Sequence, residues 1–312
     1  MRKNEVCKYS NPFPSPELSP GDEAQLASLA NMFVHNTIAQ YLKYQQKDER
    51  VVNHDRWKFV KRKQNIRVYA ERREKEIAKR KKKHRHHDDE DDGNESTRSS
   101  NSSSLISSNA ASSASHRFAP KTPMGLDLPV LFVAGTLEGT LDDALYGAVN
   151  PTVEMLRTKT SYVHDNVVGA AVLATLIAPT PEDPFRTMTI KWFEKGQPLH
   201  IRTLVSNRDM VFLESTGTTQ LPSGEQLGYQ LLHSVHFPQT PPLATAIRGN
   251  MSICAIYRQF NSNSVDVFVK GYMNPAGGLM RAVVIKSAAE GMASAWKYVH
   301  CARMKKLAWV LQ

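Results

Sequence analysis

The chain is poor in the residues that build stapled or metal-centred folds. Its 312 residues hold three cysteines, Cys7, Cys254 and Cys301. An odd count with no CxxC spacing excludes a disulfide framework and a cysteine-based zinc site, and it fits a reducing, intracellular compartment. Long hydrophobic runs are missing too. The longest, Val167 to Pro179, is about a dozen residues, where a membrane-spanning helix needs about 20. The N-terminus, MRKNEVCKYSNPFPSPELSP, starts positive but lacks the apolar core of a secretory signal. A soluble protein with at most peripheral membrane contact is expected. No nucleophile motif, metal-ligand spacing or glycine-rich phosphate loop is present, so neither catalysis, a cofactor nor a bound metal is expected.

Acidic residues are outnumbered as well. The formal net charge of +10 favours anionic partners, phospholipid surface or nucleic acid. One tract, residues 75–122, runs from basic through acidic to serine-rich. It cannot bury enough apolar surface to offset chain entropy and is expected to be disordered. Its basic part, Lys79, Arg80, Lys81, Lys82, Lys83 and Arg85, reads first as a solvated charge run. A nuclear-import or nucleic-acid patch and an anionic-lipid anchor are the alternatives. Asp88 to Asp92 beside it would offset much of any attraction to anions.

The rest of the chain is patterned for packing. Residues 1–18 read as a disordered lead-in. A helix then starts with Ser19 as cap, Pro20 in the first turn, and Asp22 and Glu23 at its positive end. Leu26, Leu29, Ala30, Phe33, Thr37, Tyr41 and Tyr44 form one face. Trp57 to Glu74 reads as two short strands turning near Lys63–Asn65. After the charged tract, order is expected to resume near Pro129 with a strand, then short helices over Asp142–Val149 and Pro151–Lys159. In Val167–Ala178 the alanines favour a helix, while its length and the prolines after it favour a buried strand, the reading adopted.

Antiparallel strands are expected next. Phe185–Phe193 places Met188, Ile190 and Trp192 on one face. Pro198–Ser215 reads as a hairpin turning at Ser206–Asn207, with Leu199, Ile201, Thr203 and Val205 sharing a face with Met210, Phe212 and Glu214. Leu227, Tyr229, Leu231, His233 and Val235 alternate, as do Met251, Ile253, Ala255 and Tyr257, and then Val265, Val267 and Val269. Leu279 to Leu311 has no proline and carries Ile285, Ala288, Met292, Ala295, Trp296 and Val299 at helical steps. It reads as one long amphipathic helix.

Several stretches resemble the START family of lipid-binding, helix-grip proteins. Asn207-Arg208-Asp209-Met210-Val211 is similar to the family's Arg-Asp-Phe-Val signature, with methionine replacing phenylalanine. Asn150-Pro151-Thr152-Val153 resembles its Trp-Asn-Pro-x-Val region, with Val149 at the tryptophan position. The turn from Asn274 to Gly277 before a long C-terminal helix, and the strand pair over Trp57–Arg72, also fit. RDMVFLESTG, SGEQLGYQLLHSV and the MKKLAWVL ending resemble a branch often paired with a FYVE zinc finger, whose cysteine cluster is absent here. The resemblance spans residue 19 to the end, so residues 19–74 and 123–312 would form one domain around the inserted tract. It implies an α+β fold: a curved antiparallel sheet around a long C-terminal helix, with an N-terminal helix. It also implies a cavity that binds, and in some members transfers, a lipid or sterol without catalysis.

Polar residues on apolar strand faces are the informative ones. Glu214, beside Phe212, would be costly if buried unpaired and could accept a hydrogen bond from a lipid hydroxyl. Tyr229, His233 and Tyr257 are candidates for a headgroup, with Trp192 as cavity wall. Arg202 and Asp209 fall together on the other face of the expected hairpin and read as a surface pair. The family often keeps a charged pair inside its tunnel, which makes them candidates for that role. Met292, Trp296 and Val299 would close the cavity from the helix. The expected ligand is a lipid or sterol, with peripheral contact to anionic membrane; nucleic acid is not favoured, and oligomeric state is open. A cytoplasmic location follows, with a nuclear one as the alternative. Two rival functions stand beside lipid binding. One is an enzyme of the cyclase or hydrolase type using His233 and Glu214 as acid and base. The other is a regulatory scaffold recruited through the basic tract.

Overall fold

The structure, a computed structural model, describes residues 11–80, 118, 128–163, 166–196 and 206–311. It opens with helix α1 (Pro20–Gln46). Ser19 caps it: the hydroxyl accepts from the Asp22 amide and the Asp22 carboxylate accepts from the Ser19 amide, a closed capping box. Two strands follow, β1 (Trp57–Lys63) and β2 (Ile66–Glu71), turning at Gln64, whose φ is 50°. Residues 74–80 continue as helix, and Arg80 reaches Asp55 at 3.4 Å. From within the charged tract, Phe118 is buried against Phe237, with ring centroids 5.4 Å apart. Lys81, Lys82, Lys83 and Arg85 lie outside the described residues.

After the tract come β3 (Val130–Glu138), α2 (Leu141–Ala148) and α3 (Val153–Val163). Then follow β4 (Val167–Ile177), β5 (Thr187–Lys195), β6 (Asn207–Gln220), β7 (Gln226–Ser234), β8 (Ala246–Arg248), β9 (Asn250–Asn261) and β10 (Ser264–Asn274). The chain ends in α4 (Arg281–Ala293), a 3-10 turn (Ser294–Lys297) and α5 (Tyr298–Val310). The strands form one sheet in the order β1-β2-β3-β10-β9-β7-β6-β5-β4, with short β8 parallel to the start of β6. Every other pairing is antiparallel.

The curved sheet is buried on both faces, and this decides what each side chain meets. One face carries Met210, Phe212, Met251, Ile253, Val267 and Val269 against α2, α4 and α5. The other carries Ile190, Val211, Leu213, Leu231, Ile256 and Phe268 against α1. Double coverage explains near-continuous apolar runs such as Met210–Leu213, which a one-sided strand would alternate with polar residues. The expected α+β sheet around a C-terminal helix is the architecture seen.

The hairpin expected to turn at Ser206–Asn207 has its first arm outside the described residues; at Arg208, β6 pairs with Lys195 of β5 on one edge and Ile247 of β8 on the other. Leu199, Ile201, Arg202, Thr203 and Val205 lie outside the described residues. The expected single terminal helix is instead interrupted by a 3-10 turn at Ser294–Lys297. Before that helix, the Asn274 side chain accepts from the Ala276 amide at 3.0 Å. Ala276, Gly277 and Gly278 all take positive φ, which reverses the chain out of β10.

Candidate ligand-binding cavity

Between the inner sheet face and the C-terminal helices the packing leaves a cavity of about 120 Å³. Its apolar wall comes from Phe212, Leu232, Met251, Ile253, Ala255, Val269 and Met273 on the strands, and Met292, Ala295 and Tyr298 on the helices. Leu156 and Lys159 of α3, Lys195 of β5, and Gly291 and Ser294 border it as well. The alternation of β6, β7 and β9 sends every second side chain here, so Phe212, Glu214, Gln230, Leu232, Ile253 and Tyr257 share the wall.

One polar cluster interrupts this surface. Lys191 of β5 and Glu214 of β6 form a buried ion pair, 2% and 4% exposed. The Lys191 ammonium also donates to the Asn150 carbonyl at 2.6 Å, and the Gln230 amide donates to the second Glu214 oxygen at 2.8 Å. Burial pushes the Lys191 pKa down, and the adjacent Glu214 charge opposes that shift. Both carboxylate oxygens are thus occupied. Asn150, which follows α2, is itself buried and donates to the Ala148 carbonyl at 2.5 Å, but among the described residues its side-chain oxygen has no partner. A buried acceptor without a donor is costly, and this one lies in the cavity lining. Lys305 of α5 fixes this corner from behind, donating to the Tyr146 and Val149 carbonyls, each at 2.7 Å, at the end of α2. Burial pushes its pKa down to about 8.

The residues singled out from the sequence divide between the two faces. Phe212, Glu214, Tyr257 and Met292 line the cavity. Burial pushes the Tyr257 phenol well above its ordinary range. Tyr229 and His233 lie on the α1 side instead. His233 stacks on Phe33 of α1, centroids 4.3 Å apart, and shares a hydrogen bond with Ser252 at 3.0 Å. Burial pushes its pKa down to about 4. Trp192 borders the cavity, but its indole belongs to the α1 side, edge-on to Phe13, with its N–H donating to Asp209 at 3.1 Å.

Asp209 is fully buried rather than on the surface. Arg248 pairs with it at 2.8 and 3.0 Å, and Arg202, the expected partner, lies outside the described residues. Val299 packs in the inner core against Gly139, and half-buried Trp296 lies against the same core; neither borders the cavity. His233 and Glu214, the acid–base pair of the enzymatic alternative, sit on opposite faces of the sheet and cannot address one substrate.

Lys191, Gln230 and Asn150 were missed. Lys191 is the one charged residue between Thr187 and Phe193. In a strand covered on both sides such a charge faces inward, whereas in a one-sided sheet it would face water. Among the described residues no helix is long and apolar enough to cross a membrane, and no cluster of three histidine, cysteine or acidic groups is placed to hold a metal.

No protein-family model matches the chain, and no curated protein matches it either. Its structure is similar to several solved ones. Human STARD10 aligns over 86% of this chain and 81% of its own, at 12% identity and a TM-score of 0.47. Human StAR-related lipid transfer protein 5 aligns over 88% and 97%, at 15% identity and a TM-score of 0.49. A STAR-related lipid transfer protein from Xanthomonas axonopodis aligns over 80% and 99%, at 14% identity and a TM-score of 0.43.

Proposed function

We propose that this protein binds a lipid or sterol in the cavity between sheet and C-terminal helices, without turning it over. One observation carries the reading: the apolar strand wall holds a buried polar cluster whose acceptor, the Asn150 side-chain oxygen, has no donor among the described residues. An amphiphile with one hydroxyl suits that pattern. Its hydroxyl would donate to Asn150 beside the Lys191–Glu214 pair, and its apolar body would lie along Met251, Ile253, Val269 and Met292. Each methylene removed from water contributes about 0.8 kcal/mol, so affinity needs no reactive group.

Size adds a condition. An apolar cavity of about 150 Å³ holds a molecule the size of benzene. A void of about 120 Å³ therefore takes only part of a long chain or ring system. Full occupancy requires the C-terminal helices to move away from the sheet, and the 3-10 turn at Ser294–Lys297, where the α-helical bonding pattern gives way to i→i+3 bonds, is the natural hinge. Such opening would also allow transfer between membranes.

Native mass spectrometry with organic extraction of the purified chain tests the reading. A discrete co-purifying lipid, lost on changing Asn150 or the Lys191–Glu214 pair, is expected. A ligand-free mass from several expression hosts would count against it.

A further inference from the structure

The body-facing stripe of α5 runs Tyr298, Cys301, Ala302, Lys305, all buried. The next position on that stripe is Trp309, and it is 75% exposed. The helix therefore outruns the surface it packs on. Around the same turn Leu307, Val310 and Leu311 are exposed by 49%, 70% and 76%, and none of the four belongs to either core. From Leu307 to Leu311 every residue is apolar, so the tip is apolar around its whole circumference. A helix of that kind belongs in a buried setting, which the described residues do not supply.

The charge behind the tip indicates what that setting is. Arg303 and Lys306 are exposed one turn back, and Lys306 also reaches Asp143 at 2.6 Å. No acidic residue occurs between Glu290 and Leu311, while Lys297, Arg303, Lys305 and Lys306 do. An apolar tip with tryptophan, backed by a cationic collar, matches a membrane interface. There aromatic rings sit at headgroup level and anionic lipid attracts nearby Lys and Arg. We propose that the last turn of α5 is a membrane anchor that inserts Leu307, Trp309, Val310 and Leu311 into an anionic phospholipid surface. The anchor is separate from the cavity and from the basic tract at Lys79–Arg85.

The test uses the full chain and phosphatidylcholine vesicles with and without phosphatidylserine. Binding is expected to require phosphatidylserine, and Trp309→Ala with Leu311→Ala weakens it by about tenfold or more. Arg303→Gln weakens it by about fivefold. Bromine-labelled acyl chains quench a tryptophan component that Trp309→Phe removes. Thermal melting stays unchanged in these variants, since the side chains lie outside both cores. The proposal is overturned if the double variant binds as the parent does, or if binding is lost only on deleting residues 79–85. It is also overturned if the parent self-associates through this turn and the variant merely dissociates.

Discussion

Lys191 and Glu214 meet across two adjacent strands on the wall of the cavity, each almost wholly removed from water. Removing one partner strands the other. Glu214→Ala should cost about 3–5 kcal/mol in denaturant unfolding, because the Lys191 charge is left buried and uncompensated. The double variant Lys191→Met/Glu214→Leu should recover most of that loss, since apolar replacements of a buried pair are often neutral. It retains a penalty of about 1 kcal/mol for the Asn150 carbonyl that Lys191 no longer serves. The same double variant should lose its co-purifying lipid. A double variant as unstable as Glu214→Ala, or one that keeps its lipid, contradicts the role given to the pair.

His233 makes stability depend on pH. Burial lowers its folded pKa to about 4, below the 6.5 of an exposed histidine. The unfolded chain therefore takes up a proton that the folded chain refuses. Stability is complete above about pH 6.5 and falls as pH drops toward 4, by up to about 3 kcal/mol. His233→Gln keeps a neutral, hydrogen-bonding group beside Ser252 and should flatten this part of the profile. Urea midpoints measured across that range for both proteins decide it; parallel profiles would refute the assignment.

Gly147 lies in α2 where a Cβ would come within 1.9 Å of the Tyr298 carbonyl oxygen of α5. In an open helix, alanine is favoured over glycine by about 1 kcal/mol. Here the sign reverses. Gly147→Ala should destabilise by about 1–3 kcal/mol as α2 is forced away from α5. A raised melting temperature would show that the two helices are not held this close.

The elements were legible wherever one local rule acted alone. The Ser19 cap, the β1–β2 turn and the alternation of β9 and β10 follow from short-range pattern, and so does the inward placement of Glu214 and Tyr257. What misled was the assumption of one buried face. Because α1 covers the reverse of the sheet, the apolar rows holding Trp192, Tyr229 and His233 are real but belong to the wrong side for the cavity. Lys191 and Gln230 alternate with those rows and so face the cavity side. Arg248, the arginine that meets Asp209, escaped notice for a related reason. A hairpin between neighbouring segments seemed the simplest path, yet β6 draws its partners from β5 and from distant β8. The Asn150 acceptor left no sequence signal, since only the packed structure shows that it lacks a donor.

The two faces also separate stability from binding. Asp266 of β10 is 3% exposed on the α1 side. There it accepts from the Tyr41 phenol at 2.8 Å and the Gln45 amide at 3.0 Å, and pairs with Arg50. Burial, with the Asp266 charge second, pushes the Tyr41 phenol above its ordinary range, so it stays a neutral donor at any physiological pH. Asp266→Asn keeps the shape but removes the charge that Arg50 answers and weakens the anchor of α1. A loss of about 1.5–3 kcal/mol is expected, the range for hydrogen bonds to charged groups. None of these groups lines the cavity, so lipid bound per folded molecule should stay at the parent level. Denaturant unfolding and extraction from the same preparation provide both readouts. Lipid loss exceeding the unfolded fraction would mean that α1 and the cavity are coupled through the sheet, and that the two cores do not act independently.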